Sequence, residues 1–348
     1  MTQATVGSYA LGDFVLQSGI VLSDAFMGYQ TFGALNSRKD NVIVFPTWYT
    51  GTHDQVTPYV GKDKALDPDE YFIVVPDMFT NGNSTSPSNA SAPHRGLNFP
   101  LVTPFDNVIA QRRLLEEHFN VTGIELMAGF SMSGQQAYHW AALHSDLVKR
   151  ACSICGSAKT SPHNLAMLHA YKSTFEASPE WSDSACSEWD PKILTIVSSI
   201  GATMAMSQDW YREGQHLSDE VTDVAGAIEN LKSLFISWVP ADLYAQTLTW
   251  MAADVSTNSS FNGDLAAALA SIKIPFLSDI PIIGPTLFQQ NFFVYGAIIL
   301  VIASTYYIFK TSIGLRLRAV GEHPKAADTL GVNVLRIRYL NVTLAGMV

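Results

Sequence analysis

The chain has 348 residues, enough for one large domain or two of ordinary size. Hydrophobic residues make up 47% of it and charged residues only 15%, which predicts a large apolar core and leaves room for a lipid-embedded part. The formal net charge of -10 argues against nucleic acid as a partner. Residues 274–348 nevertheless hold six Lys/Arg against three Asp/Glu, so we expect them to have a different surface.

Three cysteines, Cys152, Cys155 and Cys186, are an odd number and indicate no disulfide framework. The Cys152-x-x-Cys155 spacing occurs in redox and zinc sites, but no second Cys/His pair accompanies it at ligand spacing. We therefore expect small buried hydrophobic residues there and no metal site. The N-terminus has neither a basic stretch nor an apolar run, so we expect no secretory signal and a cytoplasmic location for this part.

Short strand-like runs come first along the chain. Residues 25–32 alternate loosely, whereas 41–45 and 71–75 are brief, apolar and β-branched, as expected of buried parallel strands. The loops 46–53 and 76–83 follow the last two strands directly. Because the carboxyl ends of parallel strands lie at one edge of a sheet, both loops are candidates for building a site.

A helix is predicted from residue 104 to about residue 119. Thr103 can serve as its N-cap, Pro104 suits the first helical position, and Asp106 sits at the third, facing the helix dipole. The stretch that precedes it is rich in Ser, Asn, Gly and Pro and predicts a long surface loop.

The most informative pattern is a strand, a tight turn with one serine, and a helix. Residues 124–129 predict the strand and 135–144 the helix, with Ser131 between them. Such a turn presents the serine hydroxyl above the strand ends, where the first N–H groups of the helix also point, which is the geometry of an activated nucleophile. An ordinary helix-capping serine is the alternative. A further strand at 148–155 makes strands and helices alternate, which predicts an α/β fold with a doubly wound sheet.

Four parts follow from these patterns. Residues 1–160 form the predicted α/β core. Residues 161–262 place apolar residues at helical spacing, with many Trp, Met and Tyr, and predict a helical cap over the site. Residues 263–273 are strong helix formers that should lead back into the sheet, and residues 274–348 are of a different kind.

The last part contains a membrane-like segment. The run from Phe292 to Phe309 has no charge and ends at Lys310, a length that suits a short transmembrane helix. A buried helix of a large soluble core is the alternative. Five Lys/Arg between residues 313 and 338 would lie on the cytoplasmic side if the segment inserts into a membrane.

Residues 1–273 resemble the homoserine O-acetyltransferase family of α/β-hydrolases and its esterase-like relatives. The family's serine turn commonly reads Gly-Gly-Ser-Met-Gly-Gly, and here Phe130 and Ser133 replace two glycines. The resemblance implies an acyltransferase or esterase that acts on a small homoserine-like or ester substrate, with acetyl-CoA as a possible acyl donor, no bound cofactor and a homodimeric state. The matching segments, in the family's order, are Phe45-Pro-Thr-Trp-Tyr-Thr-Gly-Thr-His53, Tyr71-Phe-Ile-Val-Val-Pro-Asp-Met-Phe79, Asp106-Asn-Val-Ile-Ala-Gln-Arg112, the serine turn, and Cys155-Gly-Ser-Ala-Lys-Thr-Ser-Pro-His-Asn164.

Acyl transfer needs a nucleophile, a base, an acid that orients the base, and hydrogen-bond donors for the oxyanion. Ser131 is the predicted nucleophile. The backbone N–H of Met132 is one predicted oxyanion donor. The backbone N–H of Trp48 or Tyr49 is the other, since Pro46 has no N–H.

In this fold the acid and then a His follow the serine along the chain. The resemblance places both beyond Lys273, where the chain no longer matches the family. Asp279 and His323 occur in the right order, but Asp279 comes too early for a full strand to precede it, and His323 comes after the membrane-like run. We therefore expect the base and the acid to be missing and catalysis to be impaired.

Two further residues have candidate roles. Arg212 can hold a substrate carboxylate from the cap, because a guanidinium matches carboxylate geometry, or it is a surface cation on a helix. His53 lies near the loop that should bind the oxyanion, and we expect it to stabilise that loop rather than to act as a base.

Residues 274–348 resemble an unrelated family, the membrane-spanning permease subunit of nucleoside or simple-sugar ABC importers, on segments 274–288 and 314–331. Three hypotheses remain: a hydrolase-type enzyme, a membrane transport component, and a chain that joins two unrelated coding regions near residues 271–275 and has no working function. We favour the joined origin, with the hydrolase fold as its main surviving feature. A parallel sheet cut short should then expose an apolar edge.

Overall fold

The computed structural model describes residues 4–182, 192–218 and 220–272, and in the tail residues 303, 305–307, 309–322, 324–329 and 331–337. It divides into two compact units, Met1–Asp279 and Ile280–Val348. The strands are β1 Thr5–Val15, β2 Val21–Phe32, β3 Val42–Val44, β4 Phe72–Pro76, β5 Ile124–Phe130 and β6 Ala151–Ile154. The helices are α1 Pro104–Arg113, α2 Met132–Leu143, α3 Pro162–Glu176, α4 Lys192–Ala205, α5 Gln208–Arg212, α6 Val224–Ser233, α7 Pro240–Met251, α8 Leu265–Ala270, α9 Ser312–Glu322 and α10 Pro324–Thr329.

One six-stranded sheet in the order β1-β2-β4-β3-β5-β6 organises the first unit. Strands β3 to β6 run parallel, whereas β2 pairs antiparallel with both β1 and β4. The predicted α/β class is confirmed, but the sheet is mixed because β2, which contains the predicted run 25–32, pairs antiparallel with β4 and with β1, a strand that the sequence analysis did not include. Most of β1 is exposed, so its apolar pattern is weak, and Gly19 with a φ of 85° closes the turn.

The centre of the sheet is apolar on both faces. Every residue of β3 and β4 is buried, as predicted for parallel strands covered on two sides. Val44 packs in the same core as Trp140 of α2, while Ile43 and Ile73 pack on the other face with Val56. This packing fixes the carboxyl ends of the strands, where the candidate loops begin.

Helix α1 begins where the sequence predicted. Asp106 N donates to Thr103 Oγ1 at 3.3 Å, and Thr103 N donates to Asp106 Oδ2 at 2.7 Å, so the capping box is complete. The α-helix ends at Arg113 and continues as a single π turn through residues 114–118, which accounts for the predicted length.

Helices α3 to α7 occupy the stretch predicted as a helical cap. Their side chains form a second apolar core that includes Tyr171, Phe175 and Leu243, and Tyr49 and Met132 from the α/β part belong to the same core. The helical character of this stretch is confirmed in the described residues, and its assignment as a separate domain stays a prediction. The second core thus reaches the turn that carries the serine.

Strand β6 lies at the edge of the sheet as far as the described residues extend. Ile154 is 46% exposed, and Cys152 and Cys155 are exposed as well. The predicted burial of these two cysteines is therefore wrong, because β6, which contains Cys152 and ends one residue before Cys155, has a described neighbour, β5, on one side only. The expected apolar edge is present in this part of the chain. Cys186 lies outside the described residues.

The second unit contributes helices α9 and α10. No helix within the described ranges is both long and apolar enough to cross a membrane. Most of the run from Phe292 to Phe309 lies outside those ranges, and so do Asp279 and His323. The predicted span and the substitute acid and base therefore stay predictions.

Candidate active site

Ser131 occupies a strained turn between β5 and α2. Its φ of 55° and ψ of -122° lie outside the regions that residues with a side chain normally adopt. Ser131 N donates to Ile154 O at 2.9 Å, and Gln135 N donates to Ser131 O at 3.1 Å, so β6 and α2 hold the strained residue from both sides. The half-buried side chain stands at the carboxyl end of β5, as predicted for a nucleophile.

Close packing in this turn excludes larger side chains. A Cβ on Gly129 would lie 2.3 Å from the backbone of Ser133, and a Cβ on Gly156 would lie 2.7 Å from the backbone of Gly134. Ser133 fits in place of the family's glycine, but its Oγ is buried with no hydrogen-bond partner in the described part of the chain. Phe130, the other departure, stays 42% exposed and places its ring edge-on to Trp48 at 5.9 Å.

Three backbone N–H groups are available for a developing oxyanion. Met132 N is the first of α2, a position that has no acceptor within its own helix. Trp48 and Tyr49, called the donor pair below, lie in the loop 46–53 after β3, called the oxyanion loop. No acceptor among the described residues takes either of their N–H groups. The predicted donors thus keep their hydrogen-bonding capacity, and their role stays a prediction.

A buried polar network anchors the far end of the oxyanion loop. His53 N donates to Asp77 Oδ1 at 3.1 Å, and the His53 ring bonds the other oxygen of the same carboxylate. Asn81 Nδ2 donates to Asp77 Oδ1 at 2.7 Å and to Gly51 O at 3.2 Å. The hydrogen bond to Asp77 raises the pKa of His53, although burial opposes the rise. This geometry fits the expected loop-stabilising role of His53.

Aromatic side chains of the cap cover Tyr49. Its ring stacks with Tyr171 at 6.1 Å and contacts Trp250 at 5.6 Å and Phe235 at 6.1 Å. Its hydroxyl lies 3.2 Å from Thr247 Oγ1. Burial raises the pKa of Tyr49 and of Tyr171, so both phenols stay neutral and the wall beside the turn is uncharged.

Arg212 makes no described hydrogen bond or ion pair with these residues. It lies on α5, a helix without buried residues, and its guanidinium pairs with Asp209 one turn earlier. The surface-cation alternative fits this exposed pair better than the carboxylate-binding role. Sequence reasoning also missed Asp77, Gln136 and Gln246, which bond the oxyanion loop. Asp77 lies in the loop 76–83 that was a candidate for building a site, whereas no local pattern marks the two glutamines.

Known proteins similar to this chain include a probable esterase of Corynebacterium glutamicum, 35% identical over 76% of each chain, and the ethyl acetate hydrolase of Pseudomonas veronii, 32% identical over 76% of each chain. The homoserine O-acetyltransferase of Methanococcoides burtonii is 28% identical over 56% of this chain and 44% of its own. The crystal structure of an acetylester hydrolase from Corynebacterium glutamicum superposes with a TM-score of 0.72 at 34% identity, covering 77% of this chain and 78% of that one.

Two family models match different parts of the chain. The model of the alpha/beta hydrolase fold matches residues 40–184, and the model of the branched-chain amino acid transport system / permease component matches residues 196–348. The second match begins within the described helix α4, well before the predicted junction near residues 271–275. The identities and coverage of the esterases decide the family of the larger part. The chain belongs to the α/β-hydrolase family, in its esterase and homoserine O-acetyltransferase-like branch.

Proposed function

We propose that the chain acts on short acyl esters, acetyl esters above all, with Ser131 as the nucleophile. The observation that carries the proposal is the strained Ser131 turn at the start of α2, whose neighbours Phe130 and Met132 pack with Trp48 and Tyr49 of the oxyanion loop. We infer the acetyl group from two similar esterases, whose names describe hydrolysis of ethyl acetate and of acetyl esters. A role as an acetyltransferase that uses acetyl-CoA is the related possibility.

The chemistry follows from the arrangement. The Ser131 oxygen attacks the carbonyl carbon, its proton passes to a base, and the negative charge that forms on the carbonyl oxygen accepts hydrogen bonds from Met132 N and from the donor pair. The alcohol then leaves with a proton and an acyl-serine remains. Water or a second hydroxyl resolves this ester and restores the serine.

The proton acceptor decides how fast the cycle runs. In this fold the acid and the His come after the serine, in a part that the family resemblance places beyond Lys273. We propose that residues 274–348 supply neither, so that turnover is slow and the oxyanion donors and substrate binding provide most of the remaining acceleration. His53 bonds Asp77 through Nδ1, and no described hydrogen bond joins its ring to Ser131, so we propose that it anchors the oxyanion loop and does not act as the base.

A fluorophosphonate probe tests the proposal directly, because it bonds covalently to a reactive serine hydroxyl and forms a tetrahedral adduct. Without a base to take its proton the serine reacts slowly, so we expect slow covalent labelling at Ser131 over a long incubation, located by peptide mass analysis, and no labelling of the Ser131→Ala variant. Hydrolysis of p-nitrophenyl acetate should follow the same pattern, with a slow steady state. Absence of labelling in the unmodified chain even after long incubation would refute Ser131 as the nucleophile, and fast turnover would refute the missing base.

A second candidate function concerns the tail. The permease-component match over residues 196–348 favours a membrane-derived origin for the last part. We propose that this part comes from a transport subunit, that it associates with a membrane if it inserts, and that the hydrolase part is cytoplasmic. A chain that stays in solution without detergent would end the transport hypothesis. Sequencing the source DNA across codons 271–275 in independent reads would decide whether the two parts share one natural reading frame.

A further inference from the structure

Two buried glutamines bond the residues that flank the donor pair. Gln136 Nε2 donates to Thr47 O at 3.1 Å, and Thr50 N donates to Gln246 Oε1 at 3.0 Å. Gln136 belongs to α2, which follows the nucleophile, and Gln246 belongs to the cap helix α7. Both side chains are at most 2% exposed. The oxyanion loop is therefore held on each side of the donor pair by a different element.

The direction of the first contact is set by a chain of hydrogen bonds. The indole of Trp140 can only donate, and its Nε1 lies 2.8 Å from Gln111 Oε1. Gln111 Nε2 must then face its next neighbour, Gln136 Oε1, at 2.6 Å. Gln136 is left with its Nε2 toward Thr47 O, which can only accept. The network runs one way, from the core of the sheet to the oxyanion loop.

The second contact joins two strained loops. Thr50 N can only donate, so Gln246 turns Oε1 toward it and has Nε2 left for Thr80 O at 3.1 Å. Thr50 has a φ of 59° and Thr80 a φ of 77°, in the left-handed region that β-branched residues avoid. One carboxamide thus satisfies a backbone group on each of two unfavourable turns, after β3 and after β4.

Burying a carboxamide is unfavourable unless its polar atoms are paired, and here each loop-facing atom is paired with a loop backbone atom. Oxyanion donors act only when they point at the place where the charge develops, and displacement of a group by about 1 Å can cost a factor of about 10² in rate. We propose that Gln136 and Gln246 are positioning residues that fix the N–H groups of the donor pair toward the oxyanion. The proposal rests on the proposed function of Ser131, and neither glutamine needs to touch the substrate.

The test replaces each glutamine by methionine, which has a similar volume and no amide. The variants are Gln136→Met and Gln246→Met, and the control is Gln135→Met, because Gln135 is also buried on α2 but donates to Thr160 Oγ1 at 3.0 Å instead of the oxyanion loop. Hydrogen–deuterium exchange followed on peptides within residues 45–56 reports the order of the loop without any need for activity. We expect exchange there to become at least about tenfold faster in Gln136→Met and Gln246→Met, called the clamp variants below, and unchanged in the control.

A second measurement separates positioning from general damage. The rate constant of fluorophosphonate labelling at Ser131 should fall about 10- to 100-fold in both clamp variants, while the KM for p-nitrophenyl acetate changes less than about twofold. Gln246→Glu keeps an acceptor for Thr50 N and, in the protonated form that burial favours, a donor for Thr80 O. It should therefore retain more of the labelling rate than Gln246→Met, and it provides a test if the methionine variant does not fold.

The outcomes distinguish the two proposals. Unchanged exchange in both clamp variants, or unchanged labelling in a loop that has become mobile, would overturn the positioning role. An equal effect of Gln135→Met would overturn it as well. An unmodified chain that is never labelled, but whose loop exchange rises in the clamp variants only, would leave the clamp intact and refute the proposed function instead.

Discussion

The two flanks of Ser131 differ sharply in how completely they are built. Toward β3 and β4, the oxyanion loop is buried and bonded by Asp77, Asn81 and two glutamines. Toward β6, Ile154 and both cysteines are exposed at the edge of the described sheet. In the proposed function the first flank stabilises the developing charge, whereas the acid and the His are expected, from the family resemblance, in the chain beyond Lys273.

The difference teaches that the two halves of such a site are structurally separable. A strained serine and its oxyanion donors need only β3 to β5 and the helix that follows, whereas proton transfer depends on chain that arrives later. A serine turn can therefore be fully formed in a chain for which we propose slow turnover. Four comparisons of variants would sharpen or break this contrast.

Gly129→Ala should have the largest effect, because it puts a Cβ 2.3 Å from the backbone of Ser133 in the turn that both flanks share. We expect a loss of more than about 3 kcal/mol in the free energy of unfolding, together with loss of fluorophosphonate labelling. Gly123→Ala is the matched control. Its Cβ would meet nothing closer than 3.5 Å, so its stability should change by less than about 0.5 kcal/mol. Similar stability of the two variants in urea denaturation would contradict the packing described for the turn.

A matched pair of isoleucine-to-threonine changes compares the flanks themselves. Ile43 on β3 is 1% exposed, and Ile154 on β6 is 46% exposed. Ile43→Thr should cost about 2–4 kcal/mol of stability, since it buries a hydroxyl and removes packed atoms. Ile154→Thr should cost less than about 1 kcal/mol and should reduce aggregation, because it makes an exposed edge more polar. If urea denaturation gave equal losses, β6 would have to be covered and the contrast would fail.

The pH dependence of stability tests a contact between the cap helix α7, which carries Asp242, and the loop after β4. The Asp242 carboxyl accepts hydrogen bonds from Ser88 N at 2.9 Å and Ser88 Oγ at 2.6 Å, yet burial raises its pKa to about 6. A carboxyl with a raised folded pKa favours the folded state most below its unfolded pKa, and this benefit is lost as the pH rises through about 6. Asp242→Asn does not titrate, so its stability relative to the unmodified chain should improve by about 2 kcal/mol between pH 4 and pH 7. A difference that stays constant with pH would contradict the raised pKa.

Much of the structure on the β3 and β4 side of Ser131 could be predicted from the sequence, because it depends on short-range sequence patterns. The cap of α1 at Thr103, the buried strands and the turn at Ser131 each depend on residues within a few positions of one another. The contacts of Gln246 with Thr50 and Thr80 join residues far apart in the chain, so no local pattern signals them.

The wrong expectation for the cysteines has a related cause. Cys152 and Cys155 lie in a run that reads as a buried strand, and burial depends on which strand becomes its neighbour. Composition indicates the strand but not its place in the sheet. Strand β1 was not predicted for the opposite reason, since its largely exposed residues show little apolar alternation.

The smallest expected effect concerns His53, at the end of the oxyanion loop. Its pKa is raised, chiefly by the hydrogen bond to Asp77, so its contribution to stability is complete below the ordinary pKa of histidine and is lost as the pH rises through the folded value. The stability difference between the unmodified chain and His53→Gln should therefore shrink from pH 6 to pH 9 in urea denaturation. Tyr59→Phe, at an exposed position, is the control and should show no such trend. A difference that grows with pH would mean that the fold lowers the pKa of His53, and His53 would then have to be reconsidered as a proton acceptor for Ser131.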